Sequence, residues 1–199
     1  MGRGVAFVSM TMPTLLVTGP PGAGKTAVAR EIGELLRLAD VPYAVIDLDE
    51  LGRAKPSPGV PRAPGSAFGH ELILANLAAV WSNYQDYGVE RLVLARIVES
   101  ARHLADYRTV IPGCELTVCR LVAPPATVEQ RIRRREPGQS RDFLLRMAVE
   151  VDARMSVLGV EDFTVENGPD DTVDGVARRI LAEIDWPAPP DSRVQAASG

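Results

Sequence analysis

Short apolar, β-branched runs alternate along the chain with stretches in which apolar residues recur every three or four positions. Residues 14–18 (TLLVT) enter a glycine-rich turn, the pattern of a buried strand. Val28, Ile32, Leu35 and Leu36 then recur at helical spacing among Arg30, Glu31, Glu34 and Arg37, predicting an amphipathic helix over 25–38. Further strands are predicted at 43–48 (YAVIDL), 91–98 (RLVLARIV), 115–122 (ELTVCRLV) and 162–166 (DFTVE). Helices are predicted at 70–87, at 100–107, from Pro124-Pro125 to Glu136, at 141–157, and after Thr172, which is placed to cap the last one. Five strands alternating with helices predict an α/β fold, a parallel sheet covered on both faces. Ligands of such sheets bind at the carboxyl ends of the strands.

Two segments break the pattern. Positions 52–69 hold four Pro and four Gly, which predicts a long loop of the kind that carries function or lacks order. From Pro187 onward the chain is rich in Pro, Ala and Ser, predicting a disordered tail over 187–199. Met10 and Met12 precede the first strong strand, so residues 1–12 read as an extension and 13–186 as one domain, a size that suits the 199 residues.

Composition narrows the classes. Apolar residues make up 46% and charged residues 24%, enough for a core, and the net charge of −4 comes with no long basic run. That argues against a nucleic-acid partner. No stretch approaches the ~20 apolar residues of a membrane span. The first ten residues are too weakly apolar for a signal peptide, and Ala6 breaks a myristoylation pattern. Cys114 and Cys119 have the spacing of neither a redox pair nor a zinc half-site, and on one strand they would point to opposite faces. Both read as reduced thiols in a cytoplasmic protein, monomeric or homodimeric.

The most specific signal is Gly19-Pro20-Pro21-Gly22-Ala23-Gly24-Lys25-Thr26, a full GxxxxGK[ST] between a strand and a helix. Glycines let successive backbone N–H groups turn inward around a phosphate, and the helix adds the positive end of its dipole. Lys25 is placed to reach the β- and γ-phosphates of ATP or GTP, and the Thr26 hydroxyl to ligate Mg²⁺. No GxGxxG follows the first strand, which excludes a dinucleotide cradle.

Asp47 and Asp49 close the second strand two residues apart, a spacing that turns both toward one crevice. Such a pair suits acceptor activation, with Asp49 as candidate base and Asp47 as candidate metal or acceptor contact, roles the two could exchange. They would also simply solvate a strand end. Arg131, Arg134 and Arg135 share a helix face at i, i+3, i+4, whereas Arg133 turns to solvent. Arginines at that point can close over ATP as a lid spanning 131–141, or serve only a helix C-terminus and Glu129 or Glu136. The third strand lacks the acid that often binds metal there and offers Arg96, a candidate for an anionic acceptor that would equally pair with Asp47 or Glu99. Asn76, Asn83 and Tyr84 are polar positions on the 70–87 helix, Asn76 the candidate acceptor contact, while His70 and His103 read as structural. Asn167-Gly168-Pro169, after the fifth strand, is placed for contact with the base.

Taken together, GPPGAGKT at 19–26, VIDLDEL at 45–51 and VEQRIRRRE at 128–136 resemble the small P-loop kinases of the nucleoside-monophosphate-kinase-like group. Within it the chain is similar to adenylylsulfate, gluconate and shikimate kinases and chloramphenicol phosphotransferase. It also resembles actinobacterial ATP-binding proteins with similar GPPGAGKT, DLDEL and RLVLA segments. The resemblance implies a three-layer fold with strand order 2-3-1-4-5, a lid after the fourth strand, and phosphoryl transfer from ATP to a small molecule. It implies roles for Gly19–Thr26 as phosphate site, Asp47 and Asp49 at the acceptor, and Arg134 or Arg135 in the lid. The strand-2 end departs from the LDGD type of adenylylsulfate kinases. Residues 52–87 would then form the acceptor region. The rival expectation is a nucleotide-dependent switch with weak ATPase activity, in which loop 52–69 contacts a partner.

Overall fold

Alternate residues of the central strands feed two separate cores, which is why each strand is apolar on both sides. The computed structural model describes residues 11–54, 68–135 and 137–190. Its strands are β1 (Met12–Thr18), β2 (Tyr43–Asp47), β3 (Arg91–Ala95), β4 (Cys114–Val122) and β5 (Phe163–Glu166). Its helices are α1 (Lys25–Leu38), α2 (Leu48–Leu51), α3 (Phe68–Asp86), α4 (Ala101–Val110), α5 (Pro125–Arg135), α6 (Gly138–Leu158) and α7 (Val173–Glu183). The strands form one sheet in the order β2-β3-β1-β4-β5, and every neighbouring pair is parallel. This is the three-layer architecture predicted.

Leu15 and Val17 of β1, Val93 of β3 and Cys119 and Leu121 of β4 face α1 and α7. Leu16, Leu92, Leu94 and Val118 face α3 and α4. Parallel strands buried on both faces need such continuous apolar runs. α1 closes its layer with Val28, Ile32, Leu35 and Leu36, all essentially inaccessible, each contributing about 1.5–3 kcal/mol by burial. α3 closes the other with Ile73, Leu77 and Trp81 at i, i+4, i+8, so Trp81 is buried there while Trp186, after α7, packs at the margin of the opposite layer. Cys114 and Cys119 are both free thiols and lie on opposite faces. Burial pushes the Cys119 thiol up to about 12, which keeps it protonated and inert.

Register sets the site. Val17 and Asp47 both lie beside Ala95, so the ends of β1, β3 and β2 arrive at one edge. On β4, buried Arg120 bonds Asp152 and Ser156 of α6 and Glu161 before β5, which fixes the far half of α6 to the sheet. Val128, Ile132 and Ala148 form a small separate core between α5 and α6.

Several boundaries differ from expectation, each for a local reason. β2 stops at Asp47 because that side chain accepts the Asp49 amide and starts the single turn of α2. β3 ends at Ala95, so Arg96 leaves the strand. α6 begins at the Pro137-Gly138 break itself, with Gly138 in the left-handed region, rather than at 141. Met12 already belongs to β1, and Pro189 accepts a bond from Arg178. Most of the predicted loop 52–69, most of the extension 1–12 and most of the tail 187–199 lie outside the described residues. Among the described residues no helix is long and apolar enough to cross a membrane.

Candidate active site

The turn from β1 to α1 holds three glycines at positive φ, Gly19, Gly22 and Gly24, and a Cβ would meet its closest neighbours at the first and last of them. Gly19 and Gly24 have φ of 145° and 101°. A Cβ on Gly19 would lie 2.7 Å from the Leu121 carbonyl, and one on Gly24 would lie 2.6 Å from Asn167 Nδ2. Gly24→Ala is therefore expected to lower stability by about 1–3 kcal/mol and to weaken ATP binding, read by thermal unfolding and an ATP titration. Pro20, Pro21, Gly22 and Ala23 complete the loop, which the Ala23 N–H closes by donating to the Pro20 carbonyl at 3.2 Å. No side chain caps the start of α1 and no acid sits in its first turn. The positive end of that helix is thus left facing the loop, the arrangement that suits an anion.

Lys25 folds back to donate from Nζ to the Pro20 carbonyl at 3.2 Å. Burial pushes its ammonium down to about 8 against the pull of Asp49 and Asp47, and Arg135 lowers it further. Thr26 Oγ1 donates to Asp47 Oδ2 at 2.7 Å, joining the first turn of α1 to the end of β2. Asp49 sits on α2 rather than on the strand, so its relation to Asp47 is that of a capped helical turn, not strand alternation. Both carboxylates nevertheless line one cleft of about 610 Å³ with Lys25, Thr26, Glu50 and Arg135. Burial raises the Asp49 carboxyl, Lys25 opposes that rise, and Asp47 reinforces it.

On α5 the arginines divide as the spacing predicts. Arg133 pairs with Glu129 in solvent. Arg131, Arg134 and Arg135 line a second cleft, of about 410 Å³, with Gly22, Gly24 and Asn167, and Arg135 also borders the first. Arg131 Nη2 donates to Asn167 Oδ1 and to the Gly168 carbonyl, each at 3.1 Å, and its Nη1 is buried without a partner among the described residues. Asn167 is itself buried and donates to the Ala23 carbonyl at 2.8 Å. It therefore braces the phosphate loop from behind, a tie 144 residues long in sequence that no local pattern signals.

The third-strand side differs from expectation. Arg96 pairs with neither Asp47 nor Glu99; Glu99 instead meets Arg154. Arg96 Nη1 donates to His70 Nδ1 at 2.9 Å and to the Tyr107 hydroxyl at 3.1 Å, and its Nε stands 3.9 Å from Asp49 Oδ1. His70 Nε2 meets Asp106 Oδ2 at 2.8 Å, and His70 and His103 stack with centroids 4.2 Å apart. The two histidines thus form a cluster that sequence reasoning missed, because their partners come from α3, α4 and the loop after β3. Asn76 donates to the Leu51 carbonyl at 2.7 Å and so ends α2, a bracing role next to the cleft. Among the described residues no group of three or more His, Cys, Asp or Glu is placed to hold a metal unaided. A hydroxyl and a carboxylate 2.7 Å apart match the few protein ligands that Mg²⁺ takes when phosphate oxygens and water supply the rest.

No family model matches the chain, and no curated protein sequence matches it. Among solved structures it is similar to a tunicamycin resistance protein from Deinococcus radiodurans, at TM-score 0.62 and 20% identity over 90% of this chain and 99% of that one. A shikimate kinase from Acinetobacter baumannii, in complex with shikimate, aligns at TM-score 0.53 and 20% identity over 88% and 94%. An APS kinase from Mycobacterium tuberculosis, in complex with AMPPNP and APS, aligns at TM-score 0.52 and 19% identity over 88% and 98%. At these identities the likeness is one of fold alone.

Proposed function

We propose that the chain transfers the γ-phosphoryl group of ATP to a hydroxyl or phosphate of a small-molecule acceptor. The observation that carries this is the convergence of Lys25, the Thr26–Asp47 pair, Asp49 and Arg135 on one cleft at the strand ends. The loop amides and Lys25 hold the β- and γ-phosphates, and Gly22 and Gly24 admit the close backbone approach. Thr26 and Asp47 would hold Mg²⁺, which would offset charge on the phosphates. Arg131 and Asn167 flank the nucleoside, and Arg134 and Arg135 reach the phosphates from α5.

Phosphoryl transfer spreads negative charge over three equatorial oxygens, and catalysis is largely positioning and charge stabilisation. The acceptor oxygen bonds to the γ-phosphorus, the bond from phosphorus to the β–γ bridging oxygen breaks, and ADP leaves with that oxygen. Asp49 takes the acceptor proton; burial raises its affinity for one, and Lys25 opposes that rise. Arg135 and Lys25 meet the developing charge from two sides.

The test is ADP release from Mg-ATP with adenylylsulfate, nucleosides, nucleotides, sugar acids and aminocyclitols as acceptors, and Lys25→Ala protein as blank. One acceptor class is expected to raise release about 100-fold or more above the water background. Firm ATP binding with a flat panel would overturn the kinase reading in favour of a nucleotide-dependent switch.

A further inference from the structure

We infer that the chain has a second ligand site, between α5 and α6 behind the phosphate loop, for a small molecule with an apolar body and a cationic amine. It stands independently of the phosphotransferase reading, because this cavity shares no wall residue with either cleft described above.

The separation begins in the phosphate loop itself. Pro21 lines the large cleft, whereas Pro20, one residue earlier, lines a cavity of about 470 Å³ on the other side. α6 divides likewise: Leu144 and Met147 border the cleft, and Leu145, Ala148 and Val149 border the cavity. Val128 of α5 closes the opposite wall. Small-molecule sites have volumes of this order, and they are concave, mainly apolar and furnished with a few polar groups that fix orientation. Val149, on the lip, is 70% exposed, a large aliphatic side chain that a ligand body would remove from water. A space bounded by two helices and a loop is filled more completely by a compact molecule than by a flat protein face.

Charge sets the class. Only two wall residues are ionisable, Glu129 and Asp152, and both are acids. Glu129 is matched by Arg133 in solvent. Asp152 is not matched one for one. Arg120 is a single cation shared between Asp152 at 2.8 Å and Glu161 at 3.1 Å, so these three groups together carry one excess negative charge. Glu161 is mostly buried, and its Oε2 has no partner among the described residues. Asp152 is half exposed and lies on the cavity wall, so the excess charge faces the cavity through it. An ammonium there balances the network through a charge-assisted bond while its hydrocarbon lies against Leu145 and Val149. A neutral head leaves the excess unmatched, and an anionic one meets its own sign.

The test uses three probes with one body and different heads: 4-phenylbutylamine, 4-phenylbutan-1-ol and 4-phenylbutanoate. The methyl resonances of Leu145, Ala148 and Val149 are followed by NMR in the full-length wild-type chain. The amine is expected to shift them saturably, with a Kd about tenfold or more below that of the alcohol, and the carboxylate to bind more weakly still. Asp152→Asn leaves Arg120 and Glu161 as a balanced pair and is expected to bring the amine to the level of the alcohol. Ala153→Trp, on the exposed lip, is expected to abolish binding of both. The comparison of heads in wild type needs no variant to fold. Amine and alcohol binding alike, or no saturable shift at these methyls, would overturn the inference. So would a shift of the same methyls with protein concentration alone, accompanied by a dimer in sedimentation, which would assign this face to a second copy of the chain.

Discussion

Lys25→Met is expected to lower kcat for phosphoryl transfer by about 100- to 1000-fold, the loss typical of one preorganised donor at developing charge. The same change is expected to make the nucleotide-free protein more stable. Lys25 is buried, and its fall from 10.5 to about 8 corresponds to about 3 kcal/mol held against folding while the ammonium is charged. The unfolded chain binds that proton up to about 10.5 and the folded chain only up to about 8, so nucleotide-free stability rises with pH across that window. Thermal unfolding from pH 7 to 10 should show this rise in wild type and not in Lys25→Met. ATP reverses the balance, because its phosphates favour the charged ammonium. Affinity for ATP should accordingly fall as pH climbs above about 8. An ATP affinity that stays level from pH 7 to 9.5 would remove Lys25 from the phosphate site.

Asp49→Asn is the second large effect, expected to cut kcat by about 100-fold or more with little change in KM for ATP. Asp47→Asn should behave differently. It removes a charge that receives the Thr26 hydroxyl, so its main signature is a Mg²⁺ requirement raised by about 10- to 100-fold. Steady-state kinetics across Mg²⁺ concentrations distinguishes the two. If Asp47→Asn proves to be the kcat variant and Asp49→Asn the metal variant, the roles are exchanged. If neither changes turnover, acceptor activation lies elsewhere.

What the sequence made legible was whatever is encoded locally. The phosphate loop is contiguous, α1 shows its stripe in four apolar residues, and strand alternation announces a parallel sheet. Arg133 could be assigned to solvent because i, i+3, i+4 geometry is a property of one helix. The Asp47–Asp49 pair was found, but as strand neighbours, because the cap that ends β2 depends on a single side-chain bond. The unread parts are long-range. Asn167 under Ala23, Arg96 against His70 and Tyr107, and Arg120 across α6 join segments 11 to 144 residues apart. Nothing in spacing or composition marks such partners until the chain is folded. Arg96 shows the cost: its charge invited a pairing with Asp47 or Glu99, whereas β3 ends one residue earlier and turns it toward α3 and α4.

The chain holds two tryptophans, and the sheet separates them. Trp81 is sealed in the layer of α3 and α4, and Trp186 lies at the edge of the layer of α1 and α7. Each half of the molecule thus carries its own intrinsic fluorophore, one shielded from quenchers and one near the surface beneath the Arg91 guanidinium. Emission resolved into these two sources would follow the α3–α4 layer and the α1–α7 layer independently, with no dye attached.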